Sequence, residues 1–309
     1  MLQRRNTAND NLIVNINGKL LPRDVAGVSP FDSSVQNGDA VWEGLRLYAG
    51  RIFRLDAHLA RLRNSAAMLA YEGYPSDETL MTELARTLTA NQMHDGVHVR
   101  LTVSRGLKYT SGLDPRINQA GCSFFILAEH KPPVFDNTHG IRLITARQRR
   151  PFANVLDQHI HSCNQLTSIL AKLEANAANA DDAVLLDTAG MLAETSSTHL
   201  FIVRDGRVVT STTRACPEGI TRSVVLELCG HLGIPAEVRD VPAAELRLAD
   251  EIFVTGTMGE ITPVIALDTH GYGNVPGPVT ARIAERFRAF TTDPAQSTPV
   301  VPDFTTGNS

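Results

Sequence analysis

The sequence predicts a two-domain α/β fold, and three observations carry that prediction. The chain has 309 residues, and at roughly 100–200 residues per domain that length fits two domains or one large α/β unit. In both halves the apolar residues switch between a strand-like and a helix-like period, so strands and helices alternate along the chain. Near the middle, Glu129-His130-Lys131-Pro132-Pro133 sets two prolines side by side, which interrupts any regular element. The predicted organisation is a flexible start over 1–11, a small α/β domain over 12–130, a linker over 131–139, a large α/β domain over 140–291 and a disordered tail over 292–309.

Each element has a local reason. Apolar runs at 12–14 and 19–21 flank Asn17-Gly18, a strong hairpin signal. Leu45 to Tyr48, then Ala49-Gly50, then Ile52-Phe53 read as a second hairpin. Leu55, Leu59, Leu62, Ala66 and Leu69 recur at helical spacing and predict a core-facing stripe, with Arg61 off that stripe. Ser76 is placed to cap a second helix reaching about Met93. Strands are expected at 97–103 and 123–128. In the second half a strand at 141–146 precedes a helix whose Leu166, Ile169, Leu170, Leu173 and Ala177 read as a core stripe. Strands at 183–186 and 200–203, a helix from about Pro217 to Leu232, strands near Val238 and at 252–254, and a last helix at 278–290 complete the reading. The stretch from Asp293 is Pro/Ser/Thr-rich and reads as disordered.

Composition narrows the function. Lys and Arg total 29 against 33 Asp and Glu, a formal charge of −4. With no basic excess to neutralise a phosphate backbone, a nucleic-acid partner is not expected. No stretch approaches ~18 consecutive apolar residues, so no membrane span is expected. The two arginines in MLQRRNTANDN precede no apolar run, so no signal peptide is read there and a cytoplasmic protein is expected. Cys122, Cys163, Cys216 and Cys229 form no CxxC pair and read as small hydrophobes rather than a disulfide framework. His159 and His161 alternate on a possible strand, but two imidazoles without a third ligand do not make a zinc site, so no metal is expected.

Three segments carry chemistry. Glu218-Gly219-Ile220-Thr221-Arg222 opens an apolar helical segment, where unpaired backbone N–H groups form a ready anion site and the Thr221 hydroxyl adds a donor. Thr255-Gly256-Thr257-Met258-Gly259-Glu260 is a small, hydroxyl-rich turn after a strand. Glu194 follows a strand and a glycine turn and precedes Thr195-Ser196-Ser197. Taken singly, the first two read equally as plain strand-end turns and the third as a surface acid.

Together the motifs resemble one family. VWEGLRLYAG at 41–50, His58-x-x-Arg61-Leu62, LAKLEAN at 170–176 and DDAVLLDTAGMLAETSS at 181–197 occur in order, followed by PEGITR at 217–222, ADEIFVTGTMGEITPV at 249–264 and GPVT at 277–280. Over roughly residues 12–291 this order resembles the class IV aminotransferases, the fold type IV pyridoxal-phosphate enzymes that include branched-chain and D-amino-acid aminotransferases and aminodeoxychorismate lyase. The resemblance implies the two-domain fold type IV architecture, a homodimer, an amino-acid or keto-acid substrate, and pyridoxal 5'-phosphate between the domains. It assigns Arg61, Ile220, Thr221 and Thr257 to the cofactor phosphate, and guanidinium suits phosphate geometry. It assigns Glu194 to the pyridine nitrogen, where a negative charge keeps the ring an electron sink.

The centre departs from the pattern. The family carries its Schiff-base lysine in a segment like I-K-S-x-N-Y-L, whereas this chain reads Ile160-His161-Ser162-Cys163-Asn164-Gln165-Leu166. His161 therefore takes the lysine position and Gln165 the tyrosine position. Of the chain's lysines, Lys19, Lys108 and Lys131 lie in other motifs, and Lys172 matches a helical lysine that the family carries beside its catalytic one. Imidazole forms no stable imine with an aldehyde, so covalent anchoring is lost. It can still carry a proton, with a pKa near 6.5 and assistance of roughly 10²–10⁴ in rate.

Three functions fit. One is an aminotransferase-type enzyme holding pyridoxal or pyridoxamine phosphate noncovalently, with His161 as proton shuttle. Another is a cofactor-independent lyase or isomerase using the same cleft, and the third a non-catalytic protein binding pyridoxal phosphate or a metabolite. Arg46, Arg100 and Arg105 are candidates for a substrate carboxylate, and Asn37 replaces an aromatic common in relatives, so a typical branched-chain pocket does not follow.

Overall fold

A computed structural model describes residues 5–118, 120–273 and 275–301. They fall into two compact units: residues 5–132, 160–164 and 291–301 form the first, and 133–159 with 165–290 the second.

In the first unit, β1 (Ile13–Ile16) and β2 (Lys19–Pro22) form the expected hairpin. Asn17 and Gly18 both take positive φ, 52° and 80°, the turn whose twist matches paired strands. A short helix α1 (Ser33–Asn37) leads into β3 (Ala40–Tyr48), which turns back through Ala49-Gly50 to β4 (Arg51–Phe53). Helices α2 (Leu55–Met68) and α3 (Asp77–Ala90) follow, the latter capped by Ser76 Oγ accepting from the Thr79 N–H at 3.1 Å. Strands β5 (Val97–Ser104) and β6 (Ser123–His130) complete an antiparallel sheet. Val41, Leu45 and Leu47 of β3 alternate inward with Val97, Val99, Leu101 and Val103 of β5, and the α2 stripe (Leu55, Leu59, Leu62, Ala66) packs into the same core.

The second unit is built on a mixed sheet. Its elements are β7 (Ile141–Arg150), α4 (Leu166–Ala177), β8 (Asp182–Asp187), β9 (Leu192–Thr195), β10 (His199–Arg204), β11 (Arg207–Thr210), α5 (Ile220–Leu232), β12 (Ala236–Val238), α6 (Ala243–Leu246), β13 (Glu251–Gly256), β14 (Glu260–Leu267), β15 (His270–Gly271) and α7 (Pro278–Thr291). The strand order is β12-β11-β10-β13-β14-β7-β8-β9, with β7 parallel to both β8 and β14. Helix α5 begins at Ile220, not Pro217, because Gly219 is extended (φ −73°, ψ 126°) and serves as the N-cap. No helix among the described residues is long and apolar enough to cross a membrane.

Three expectations are corrected. First, the α4 stripe faces outward: Leu166, Ile169, Leu170 and Leu173 are 66%, 55%, 38% and 57% exposed. The small residues Ala171 and Ala175 face the sheet instead, packing with Ala146, Ala183 and Leu185, because they let the helix lie close. Second, the tail is ordered as far as it is described: β16 (Ser297–Pro299) adds to the edge of β4, and Val300 and Val301 enter the first core. Arg51 fixes it, donating from Nη2 to the Ser297 carbonyl at 2.6 Å. A free strand edge and two valines outweigh the polar composition; residues 302–309 lie outside the described residues. Third, within 1–11, Asn6 caps a 3₁₀ turn over Thr7–Asn9, and Asn9 clamps the end of β6 by accepting from the His130 N–H at 2.8 Å. Residues 1–4 lie outside the described set. Within 131–139, Lys131 N–H donates to the Gly96 carbonyl in the first unit and Val134 N–H to the Met258 carbonyl in the second.

Candidate active site

His161 lies in the first unit, on a five-residue segment that runs beside the start of β3. Strand β4 pairs only with the far end of β3, at Leu47 and Tyr48, which leaves the opposite end to this segment. The Trp42 N–H donates to the His161 carbonyl at 3.0 Å, the Cys163 N–H to the Ala40 carbonyl at 2.8 Å, and the His161 N–H to Ser65 Oγ on α2 at 3.0 Å. The imidazole stacks on Trp42, ring centroids 4.5 Å apart.

Its Nδ1 lies 2.5 Å from the Trp42 carbonyl oxygen. A carbonyl only accepts, so Nδ1 carries the proton and neutral His161 keeps its lone pair on Nε2. No described residue bonds Nε2. Burial and the Arg61 charge lower the His161 pKa, against Glu43 and the Trp42 carbonyl, which raise it. The imidazole is therefore neutral near pH 7 and able to take a proton at Nε2.

Glu43 sits on the core-facing side of β3, in phase with Val41 and Leu45, and is fully buried. Arg61 grips it with two bonds, Nε to Oε1 and Nη2 to Oε2, each 2.7 Å, and His58 Nδ1 donates to Oε2 at 2.6 Å. Burial pushes the carboxyl up, but the Arg61 charge, His161 and the Arg61 bonds prevail and hold it well below the usual carboxylate range. Arg61 is thus off the core stripe as expected, and in this structure it is paired with an acid. Nothing in the sequence singled out Glu43. Its place in phase with Val41, Leu45 and Leu47, on the apolar face of the strand, was the available signal.

Around Trp42, the Arg100 guanidinium carbon lies 3.9 Å from the ring centroid, and its Nη2 lies 3.7 Å from Cys163 Sγ. Arg105 is taken up by Asp39, 2.6 Å away, and by the Leu69 carbonyl at 2.8 Å, which gives it a structural role rather than the carboxylate-binding one considered for it. Arg46 donates to the Lys131 carbonyl. Lys108 donates to Asn37 Oδ1 and to the Gly112 carbonyl, and Lys172 to the Asp181 carbonyl. His159 belongs to the second unit, pairs with Asp157 and lies on no strand. Among the described residues no group of three His, Cys, Asp or Glu is placed to hold a metal.

The other sequence-selected residues lie together in the second unit. Glu194, on β9, is buried, with the Arg150 guanidinium 2.9 Å away at the end of β7. Arg150 also donates to Ser168 Oγ at 2.7 Å, and Ser168 to Gln165 Oε1 at 3.2 Å. Arg150 was not foreseen, because the pair joins strands far apart in sequence. The hydroxyls after Glu194 serve a different acid: Thr195, Ser196 and Ser197 all donate to the buried Asp182. Burial raises the Asp182 pKa, against those bonds.

At the start of α5, no side chain caps the helix. The N–H groups of Ile220, Thr221 and Arg222 have no partner among the described residues. The Arg222 side chain points away, donating from Nη2 to the Ser211 carbonyl. His199 packs against Gly219 and is cross-strand from Thr255, so the α5 N-terminus and the Thr257 turn share one end of the sheet.

Comparison with known proteins places the chain in a family. The model for amino-transferase class IV matches residues 40–267, and the chain belongs to that family. It is 46% identical over 285 residues to the branched-chain-amino-acid aminotransferase-like protein 2 of Arabidopsis thaliana, covering 92% of this chain but 51% of that protein. The chain thus spans about half the length of the curated relatives it matches first. It is 33% identical to a D-alanine aminotransferase of Bacillus licheniformis, covering 86% and 93% of the two chains. The fold matches the branched-chain aminotransferase of Thermoproteus uzoniensis with norvaline at a TM-score of 0.86, with 29% identity over 94% of this chain and 99% of that one. It also matches the branched-chain amino acid aminotransferase of Thermobaculum terrenum in its PLP form, at a TM-score of 0.85 and 26% identity over 94% of this chain and 99% of that one. The two-domain fold type IV architecture expected from the motifs is the one observed.

Proposed function

We propose that the protein is an aminotransferase-type enzyme acting on an amino acid or keto acid, which holds pyridoxal or pyridoxamine 5'-phosphate without a covalent bond. His161, in this reading, stands at the family's lysine position and moves the proton. One observation carries it: the Trp42 carbonyl fixes the Nδ1 proton and leaves Nε2 as a base.

The residues present fit the cofactor. The uncapped N–H groups of Ile220, Thr221 and Arg222, with the Thr221 and Thr257 hydroxyls, offer donors and a helix dipole to a phosphate dianion. Arg61, which the family resemblance assigns to the cofactor phosphate, has its Nε and Nη2 on Glu43 in this structure. Glu194, with the Arg150 guanidinium 2.9 Å away, suits a protonated pyridine nitrogen. When bound, the ring supplies an electron sink for a substrate carbanion. Without a lysine amine at 161, the chain contributes grip, orientation and a proton carrier.

A second copy of the chain covers the outward apolar face of α4 in this proposal, since four large apolar side chains at i, i+3, i+4 and i+7 form a stripe that a soluble monomer rarely exposes. All four cysteines are free, as a reducing cytoplasm keeps them.

The test is a titration with pyridoxal phosphate followed by borohydride. The expected result is a bound cofactor spectrum that dialyses away, no reduced adduct on the protein, and conversion to pyridoxamine phosphate when amino acid is added. A lack of binding, or a trapped lysine adduct, overturns the reading.

A further inference from the structure

His161 Nδ1 faces two oxygens. The first is the Trp42 carbonyl at 2.5 Å, and the second is Glu43 Oε1 at 3.4 Å. Glu43 has no exposed surface, so no solvent screens its charge from the ring. The charged or titratable groups around the imidazole are Glu43 on β3, His58 and Arg61 on α2, and Arg100 on β5, which reaches it through Trp42.

We propose that Glu43 is a positioning residue for His161. With the Trp42 carbonyl it holds the Nδ1 proton inward, and its charge stabilises the imidazolium that forms when Nε2 accepts a proton. Arg61, bound to the same carboxylate, opposes that stabilisation. The arrangement follows the logic of a carboxylate behind a catalytic histidine, in which the acid orients and steadies the ring without itself taking the proton. Here a lysine-free site needs such an acid, because an imidazole buried beside an arginine is otherwise a poor base. The inference rests on the reading of His161 as proton carrier.

Glu43 and Arg61 also hold β3 to α2, so loss of either can cost stability without touching His161. Their electrostatic effects on His161 have opposite signs, and no shared structural role reproduces that. The experiment is a ¹⁵N-histidine NMR titration of the full chain without cofactor, with His161 assigned by His161→Asn. The expected wild-type signature at neutral pH is the Nδ1-protonated tautomer. In Glu43→Gln the His161 midpoint falls by at least about one pH unit, and in Arg61→Gln it rises. Glu43→Asp, if Glu43→Gln does not fold, gives a smaller fall.

An Nε2-protonated wild type overturns the proposal without any variant, as does a midpoint unchanged in a folded Glu43 variant or moved the same way by Glu43→Gln and Arg61→Gln. Pyridoxal phosphate added to the same samples separates the two readings. Opposed shifts without cofactor binding leave the coupling standing and sink the proposed function. Binding without opposed shifts does the reverse.

Discussion

The His199 ring lies against Gly219 so closely that a methyl group there would come within 2.2 Å of Cδ2 and 2.4 Å of Nε2. Gly219 has φ −73°, which any residue adopts, so the demand for glycine is steric rather than conformational. Gly219→Ala is expected to cost about 1–3 kcal/mol by overpacking and to displace the first turn of α5, weakening any phosphate held there. Adding His199→Ala should recover most of the lost stability. A double-mutant cycle on urea midpoints checks this, and purely additive losses would refute the contact as the cause.

Arg150 and Glu194 form a pair whose side chains are 8% and 7% exposed. Breaking such a pair leaves a buried charge uncompensated. Arg150→Met is expected to destabilise the protein by about 3–5 kcal/mol, while Arg150→Met with Glu194→Leu should be much less harmful. Chemical denaturation of the two variants decides it, and equal losses would contradict the pairing argument.

How much of this was legible in the sequence varies by element. Asn17-Gly18 and the α2 stripe were readable because the signal and the structure it specifies lie within a few residues. The outward stripe of α4 was not, since periodicity marks an apolar face without saying what covers it. Glu43 with Arg61, and Arg150 with Glu194, depend on which strands and helices become neighbours. Hydropathy carries no trace of that. The tail failed for a related reason, as its order comes from the open edge of β4 rather than from its own composition. The α5 turn, Thr257 and Glu194 were singled out only through ordered motifs, each of them weak alone.

Position 161 offers a gain-of-function test. His161→Lys places an amine on the segment that Trp42, Ala40 and Ser65 hold in place. The variant is expected to trap pyridoxal phosphate on reduction with borohydride, with the modified residue at 161 by peptide mass, and to transaminate faster than the wild type. An unmodified residue 161 in a folded protein would mean that this position is not the family's lysine position.

The exposed α4 face predicts an oligomer that charge should disrupt. Ile169 and Leu173 are 55% and 57% exposed, one turn apart, and point away from the sheet that Ala171 and Ala175 contact. Burying two such side chains between copies contributes roughly 3–6 kcal/mol, so Ile169→Glu with Leu173→Glu should weaken association more than about 100-fold. Sedimentation should show a dimer becoming a monomer with an unchanged circular dichroism spectrum. A wild-type monomer at micromolar concentration would remove the argument.

His98 gives the fold a pH dependence of definite sign. It lies on β5, cross-strand from Arg46, is 9% exposed, and neither ring nitrogen has a hydrogen-bond partner among the described residues. Burial, and after it the charges of Lys131, Arg100 and Arg46, push its pKa down to about 3. The unfolded chain binds a proton at His98 near pH 6.5, whereas the folded chain refuses it until about pH 3. The unfolded state therefore binds more protons across that window, and stability falls as pH drops through it, by at most about 1.4 kcal/mol per pH unit from this residue. Above roughly pH 7.5 the contribution is flat. His98→Leu, which keeps the site apolar and cannot take up the proton, should remove that slope. Unfolding free energies at pH 7.5, 5.5 and 4.5 for both proteins measure the difference, and parallel profiles would show that His98 does not titrate as its surroundings require.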